Sequence, residues 1–289
     1  MSRDGAADGR EDDQRGRALY DMGATTVFAS RGDPRFSYCL YVPPGIAETG
    51  RTELIVAMHG TGRTFVTYRD AFAEFGRWHD CVVLCPLFPV GVKGDGNRDG
   101  FKYMAEGEIR YDRVLLDMVA EVGEKYGRAF ERFAVFGYSG GAHFAHRFLL
   151  LQPKRLWAVS IGAPGSVTLL DAARDWWVGV RDLKARFGVD LDRDAIRRVP
   201  VHMVVGGADT ETWEITHREG GRHWMAGAND AGATRPERLA SLRRSLEAVG
   251  AEVRFDLLPG VAHDGPRCLE PVKTFFADVL ARRRAAPAA

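Results

Sequence analysis

The chain is poor in the features that mark disulfide scaffolds, membrane proteins and polyanion binders. Only four cysteines occur in 289 residues, Cys39, Cys81, Cys85 and Cys268, and no two form a Cys-x-x-Cys pair. That spacing argues against a disulfide framework or a thiolate metal site, and the four are read as buried thiols. No apolar run approaches the roughly 18 to 20 residues that cross a bilayer, so no membrane partner is expected. Neither sign of charge is in excess: 40 Lys plus Arg face 39 Asp plus Glu, a formal net charge of +1. Without a net field to draw in polyanions, nucleic acid is not an expected partner. The sequence also lacks a His-Glu-x-x-His helix, a Walker loop, a dinucleotide fingerprint and any internal repeat. No metal and no cofactor are therefore expected.

What is present is an ordinary globular composition, with 45% apolar residues, enough to build a large buried core. Residues 1–17 are rich in Asp, Arg, Gly and Gln and have no apolar segment of signal-peptide type. They read as a disordered, solvated tail on a soluble, cytoplasmic protein. Residues 18–285 read as one domain.

Two β-rich runs, Thr25 to Ser30 and Phe36 to Val42, flank Arg31-Gly32-Asp33-Pro34 and predict an antiparallel hairpin. Six short, continuously apolar runs follow: Glu53 to Met58, Cys81 to Cys85, Arg132 to Gly137, Leu156 to Ile161, Val201 to Gly206 and Val253 to Leu258. Such runs suit strands covered on both faces. Helical patterns between them, clearest at Tyr111 to Lys125, Ala142 to Leu151, Pro236 to Val249 and Pro271 to Arg284, complete the alternation of a doubly wound, mostly parallel α/β sheet of about eight strands. Two connections exceed simple loops, near 163–199 with Trp176 and Trp177, and near 210–235 with Trp213 and Trp224. They read either as walls of a binding cleft or as surface excursions whose aromatics pack on the core.

The chemistry gathers at Arg132-Phe-Ala-Val-Phe-Gly137-Tyr138-Ser139-Gly140-Gly141. An apolar strand, Gly-x-Ser-x-Gly and a helix start form the setting of a nucleophile elbow, where a tight turn lifts a serine hydroxyl above the sheet's carboxyl edge. Ser139 is the candidate nucleophile. A hydroxyl needs a base held by a carboxylate, and an imidazole, with an ordinary pKa near ~6.5, can take and return a proton at neutral pH. His263, in Gly260-Val-Ala-His263-Asp264-Gly265 after the last strand run, is the candidate base. Asp209, just beyond Val201 to Gly206, is the candidate acid, with Asp264, Asp230 and Asp175 as weaker alternatives. Acyl transfer also needs two backbone N–H donors for the developing oxyanion. Gly140 supplies one, and Thr61, in the His59-Gly60-Thr61-Gly62 turn after Glu53 to Met58, supplies the other.

On these segments, His-Gly-Thr-Gly, Gly-Tyr-Ser-Gly-Gly-Ala-His-Phe-Ala-His-Arg-Phe and Gly-Val-Ala-His, the chain resembles the α/β-hydrolase superfamily over about residues 20–284. Within it the chain is most similar to the polyhydroxybutyrate-depolymerase and feruloyl-esterase-like branch of serine esterases. The resemblance implies an eight-stranded, mostly parallel sheet, a covalent acyl-enzyme, no cofactor and a small-molecule ester substrate. Hydrolysis of a thioester, lactone, amide or carbon–carbon bond by the same triad, or a non-catalytic ligand receptor, stays open at this point. Tyr138, Trp177 and Trp213 are the candidate substrate-binding residues, on the expectation of an aromatic pocket. One further motif is undecided: Asp95, Asn97, Asp99 and Glu106 keep the spacing of a calcium-binding loop, but no entering helix precedes them, and Lys93, Arg98 and Lys102 lower the local negative charge.

Overall fold

The computed structural model describes residues 15–16, 18–46 and 49–285, so all of the expected tail at 1–17 except positions 15 and 16 lies outside the described residues. Strands β1 (Gly23–Ala29) and β2 (Ser37–Val42) pair antiparallel across the Arg31–Pro34 turn. They join β3 (Glu53–Met58), β4 (Cys81–Leu87), β7 (Phe133–Tyr138), β8 (Leu156–Gly162), β9 (Val201–Gly206) and β10 (Val253–Leu258) in one eight-stranded sheet, ordered β1-β2-β4-β3-β7-β8-β9-β10. The β2–β4 pair is antiparallel, and every pair from β4 to β10 is parallel. A separate two-stranded ribbon, β5 (Ala105–Glu106) with β6 (Ile109–Arg110), precedes the second helix.

Every residue of β7, β8 and β9 is buried, the burial expected of central parallel strands covered on both faces. In β10, at the edge, no residue is fully buried, and Arg254 and Leu257 are exposed. Helices α1 (Phe65–Trp78), α2 (Tyr111–Tyr126), α3 (Gly140–Leu151), α6 (Arg235–Glu247) and α7 (Leu269–Ala285) pack on the sheet. Two short helices, α4 (Leu183–Phe187) and α5 (Arg193–Arg197), lie in the first long connection. Local chemistry sets the ends. Gly127 (φ 62°) stops α2 in the left-handed conformation that costs glycine least, and a Thr234–Glu237 capping box starts α6.

Helix α1 was not among the patterns expected from sequence. Tyr68, Phe72 and Phe75 do recur at helical spacing and are buried, but Thr64 makes no side-chain cap that would announce the start. All four cysteines are free and buried. No helix among the described residues is long and apolar enough to cross a membrane.

Candidate active site

Ser139 is the single residue between the end of β7 and the start of α3, and it holds φ 54°, ψ −117°. A side chain rarely tolerates that conformation, so the surroundings must impose it. Its N–H donates to the Gly162 carbonyl of β8 (2.8 Å), and its carbonyl accepts from Ala142 N–H (3.0 Å). A Cβ at residue 137 would stand 2.1 Å from the Gly141 carbonyl oxygen, and one at 141 would stand 2.5 Å from the Met58 carbonyl oxygen. The two flanking glycines are therefore requirements of backbone contact between the turn, its own helix and β3. The Ser139 side chain caps nothing and faces a cleft.

Asp209 and His263 sit on two loops zipped together by backbone. Gly207 N–H donates to Leu258 O (2.8 Å) and Ala208 N–H to Val261 O (2.9 Å). Gly206 lies so close to the second loop that a Cβ there would meet Val261 O at 2.1 Å. Across this junction His263 Nδ1 and Asp209 Oδ2 are 2.6 Å apart, a short, charge-assisted contact to a carboxylate with 1% exposure. The other oxygen, Oδ1, accepts from Arg235 (3.0 Å), whose second terminal nitrogen donates to Glu214 (2.7 Å). The weaker acid candidates are engaged elsewhere. Asp264 accepts from Arg267 N–H, Asp175 pairs with Arg181, and Asp230 pairs with Arg174.

The turn after β3 brings Thr61 against the elbow. A Cβ at Gly140 would lie 2.8 Å from Thr61 N and 2.9 Å from Thr61 Oγ1, so the two proposed N–H donors belong to touching segments. His59 pins this turn from beneath. Its Nε2 accepts from Phe88 N–H (3.0 Å), which leaves Nδ1 to donate to the Gly60 carbonyl (2.8 Å), and burial pulls its pKa down to about 3. Arg63 ties the same turn to its neighbours by donating to the Thr61, Phe88 and Arg98 carbonyls.

Helix α3 anchors the first insertion through three buried side chains. His143 Nε2 accepts from Gly165 N–H (2.8 Å) and Ser166 N–H (3.2 Å), and His146 Nε2 accepts from Thr168 N–H (3.0 Å). Burial holds both imidazoles neutral, well below their usual range. Arg147 donates to Thr168 and Ser166 and lies over the rings of Tyr103, Trp176 and Trp177, its own pKa lowered to about 10 by burial.

The cleft at Ser139 has a volume of about 260 Å³, and most of its wall comes from Glu214–Arg218, Gly221–Trp224 and Arg235, the second insertion and its exit. Tyr138, Trp177 and Trp213 do not line it. Tyr138 is buried between Gly162 and Gly265 with its ring centroid 5.1 Å from that of His263, where it supports the imidazole from below. Trp177 is buried on Arg147 and donates its indole N–H to His223 O (3.0 Å), fastening one insertion to the other. Trp213 is 73% exposed away from the wall, and Trp224 is the tryptophan that faces the cleft. Aromatic content in a segment does not say which rings turn inward: of the two insertions' tryptophans, Trp224 alone lines this cleft.

The carboxylates of the Asp95–Glu106 loop are engaged by protein groups from the loop and its neighbours. Both Glu106 oxygens are occupied, by Asn97 Nδ2 (2.8 Å) and Tyr111 OH (2.7 Å), and Asp99 pairs with Lys102 (2.8 Å). Among the described residues no cluster of three or more His, Cys, Asp or Glu side chains is placed to hold a metal ion.

No protein-family model and no curated protein matches the chain. Solved structures do. Poly(aspartic acid) hydrolase-1 from Sphingomonas sp. KT-1 is similar over 87% of this chain and 97% of its own, at 21% identity and a TM-score of 0.69. The poly(3-hydroxybutyrate) depolymerase LpqC from Bordetella parapertussis is similar over 86% and 89%, at 20% identity and 0.67. An S-formylglutathione hydrolase from Agrobacterium tumefaciens is similar over 90% and 98%, at 18% identity and 0.60. The shared architecture is the α/β-hydrolase fold.

Proposed function

We propose that the protein is a serine hydrolase that cleaves carboxylic esters through a Ser139–His263–Asp209 triad and an acyl-enzyme. The observation that carries this reading is the conformation of Ser139. A non-glycine residue at φ 54°, with its hydroxyl unused by the helix it precedes, holds strain that a structural turn has no need to keep. The His263–Asp209 contact on the adjoining loops supports it.

In this mechanism Asp209 accepts from His263 Nδ1–H, which fixes the tautomer and leaves Nε2 free as the base. Nε2 takes the Ser139 proton as Oγ attacks the acyl carbonyl. The N–H groups of Gly140 and Thr61 receive the oxyanion. The imidazolium then protonates the leaving alcohol, and water, activated by the same nitrogen, releases the acid and restores Ser139. Asp209 stabilises the imidazolium, and Arg235 holds the other carboxylate oxygen, so the acid is oriented from both sides. The three structural neighbours named above are themselves described as hydrolases or a depolymerase.

The test is Ser139→Ala assayed on activated aryl esters beside fluorophosphonate labelling of the unaltered chain. The expected result is labelling at Ser139 and loss of essentially all turnover in the variant, with the unfolding transition retained. Undiminished turnover, or no labelling, would overturn the reading.

A further inference from the structure

The cleft wall is more cationic than the chain as a whole. Its cations are Lys102, Arg218, Arg222 and Arg235, against the anions Asp99 and Glu214. These charges are unevenly compensated. Arg235 is spent on Asp209 and Glu214, and Lys102 lies 2.8 Å from Asp99. Among the described residues Arg222 reaches only Asp95, at 3.7 Å, and its side chain is 56% exposed. The exposed Arg218 guanidinium has no salt-bridge partner among the described residues. Two guanidinium charges, four residues apart on the second insertion, thus border the cleft, one only loosely paired with Asp95 and the other with no salt-bridge partner among the described residues. A third cation stands next to the reacting centre, since Lys102 Cε would lie 3.1 Å from a Cβ at Gly140.

An aliphatic acyl chain placed against this wall would strip water from charged groups and give them nothing in return. A carboxylate replaces that water with charge-assisted hydrogen bonds, and guanidinium groups suit it by geometry as well as charge. The volume of about 260 Å³ falls just below the ~300–1,000 Å³ of drug-sized ligand sites, which favours a short substrate.

We propose that the preferred substrates are short esters carrying a carboxylate, held by Arg218 and Arg222 with Lys102 at the inner end of the cleft. This rests on the serine-esterase reading and specifies its substrate class. The carboxylate can belong to the acyl part or the alcohol part of the ester, and the experiment separates the two.

The assay compares kcat/KM for matched pairs on the full chain at low ionic strength. On the acyl side the pair is mono-para-nitrophenyl adipate against para-nitrophenyl hexanoate, and on the alcohol side para-acetoxybenzoate against para-acetoxybenzamide. The expected result is a preference of about tenfold or more for the anionic member of at least one pair, which shrinks as salt screens the guanidinium charges. In Arg218→Gln/Arg222→Gln the preferred pair should approach parity, and in Arg218→Glu/Arg222→Glu the order should reverse. Equal or inverted rates in both pairs, in a protein whose Ser139 still reacts with a fluorophosphonate, would overturn this inference and leave the esterase reading standing. A preference that survives in the double glutamine variant overturns it too. Absence of both labelling and turnover would remove the esterase reading and this inference together.

Discussion

Acidification tests the packing of this fold directly, because three of its histidines are buried as acceptors that only a neutral imidazole can supply and a fourth, His202, is buried within the sheet. His59, His143 and His146 each accept a backbone N–H on one ring nitrogen, which protonation would turn from an acceptor into a donor. His202 lies in β9 between Ser160 Oγ (2.8 Å) and Asp256 (3.0 Å). Burial lowers His59 to about 3 and His202 to about 4, and it holds His143 and His146 well below the ordinary range. In the unfolded chain all four titrate near about 6.5. Between the folded and unfolded values the unfolded chain binds more protons, so stability is fully present above about pH 6.5 and drains as pH falls.

From about pH 7.5 to about pH 5.5 each such histidine withdraws about 1.4 kcal/mol. The value for His202 already includes its pairing with Asp256, and His217 in the cleft wall, also lowered to about 4 by burial, adds the same amount. The combined loss is therefore about 6–7 kcal/mol, a large share of the 5–15 kcal/mol by which a typical domain is stable. Most carboxylates titrate below this window, so the loss reports on imidazoles. The assay is urea unfolding at half-unit pH steps, with the urea dependence checked for constancy. Near pH 6.5 the stability should change with a slope equivalent to uptake of about two to three protons on unfolding, rising towards five at lower pH. A change under about 1 kcal/mol across the window would refute the placement of these histidines as neutral, buried acceptors.

Two substitutions probe the reaction centre. Gly140→Ala puts a methyl group 2.8 Å from Thr61 N, so one oxyanion donor must move; kcat on aryl esters should fall by about 10²–10³ with a smaller change in KM, and unchanged kcat would exclude Thr61 as a donor. Arg235→Met leaves the buried Asp209 carboxylate with only His263, while the half-exposed Glu214 can rehydrate; urea unfolding should show a loss of about 3–5 kcal/mol, and a loss under 1 kcal/mol would show that the guanidinium is not needed to hold that charge.

Much of the fold was legible because its signals are local. Central strands read as unbroken apolar runs, and β3, β9 and β10 begin and end where the runs do. The strand–turn–helix at Ser139 was legible in part for the same reason: the backbone contact that demands glycine at 137 is with Gly141, four residues on, whereas the one that demands glycine at 141 is with Met58 and His59 in a distant strand and turn. Arg235 was not legible. Its partners Asp209 and Glu214 are 26 and 21 residues away in sequence, and nothing in Thr234-Arg-Pro-Glu marks the arginine as buried. The same holds for His143 and His146, whose roles depend on a loop more than twenty residues downstream. The tryptophans show the limit in another form, since composition places aromatics in a segment but only packing against Arg147 or solvent decides which way each ring turns.

The two halves of the site are built by different means, and this separates what each can tolerate. Thr61, Ser139, Asp209 and His263 follow β3, β7, β9 and β10 within a few residues, and because these strands are parallel all four emerge at one edge of the sheet. Their relative positions are set by backbone meeting backbone at Gly137, Gly141 and Gly206, contacts with no rotamer freedom to relax. The cleft wall is set instead by side chains: Trp177 to His223 O, Asn229 to His217, and Arg238 to Ile215 O. Exchanging Arg218 or Arg222 on that wall disturbs none of the glycine contacts, so selectivity can change while the triad stays in register. Arg235 joins the halves, with one nitrogen on Asp209 and the other on Glu214, and a perturbation of the insertion at that residue reaches the Asp209 carboxylate directly.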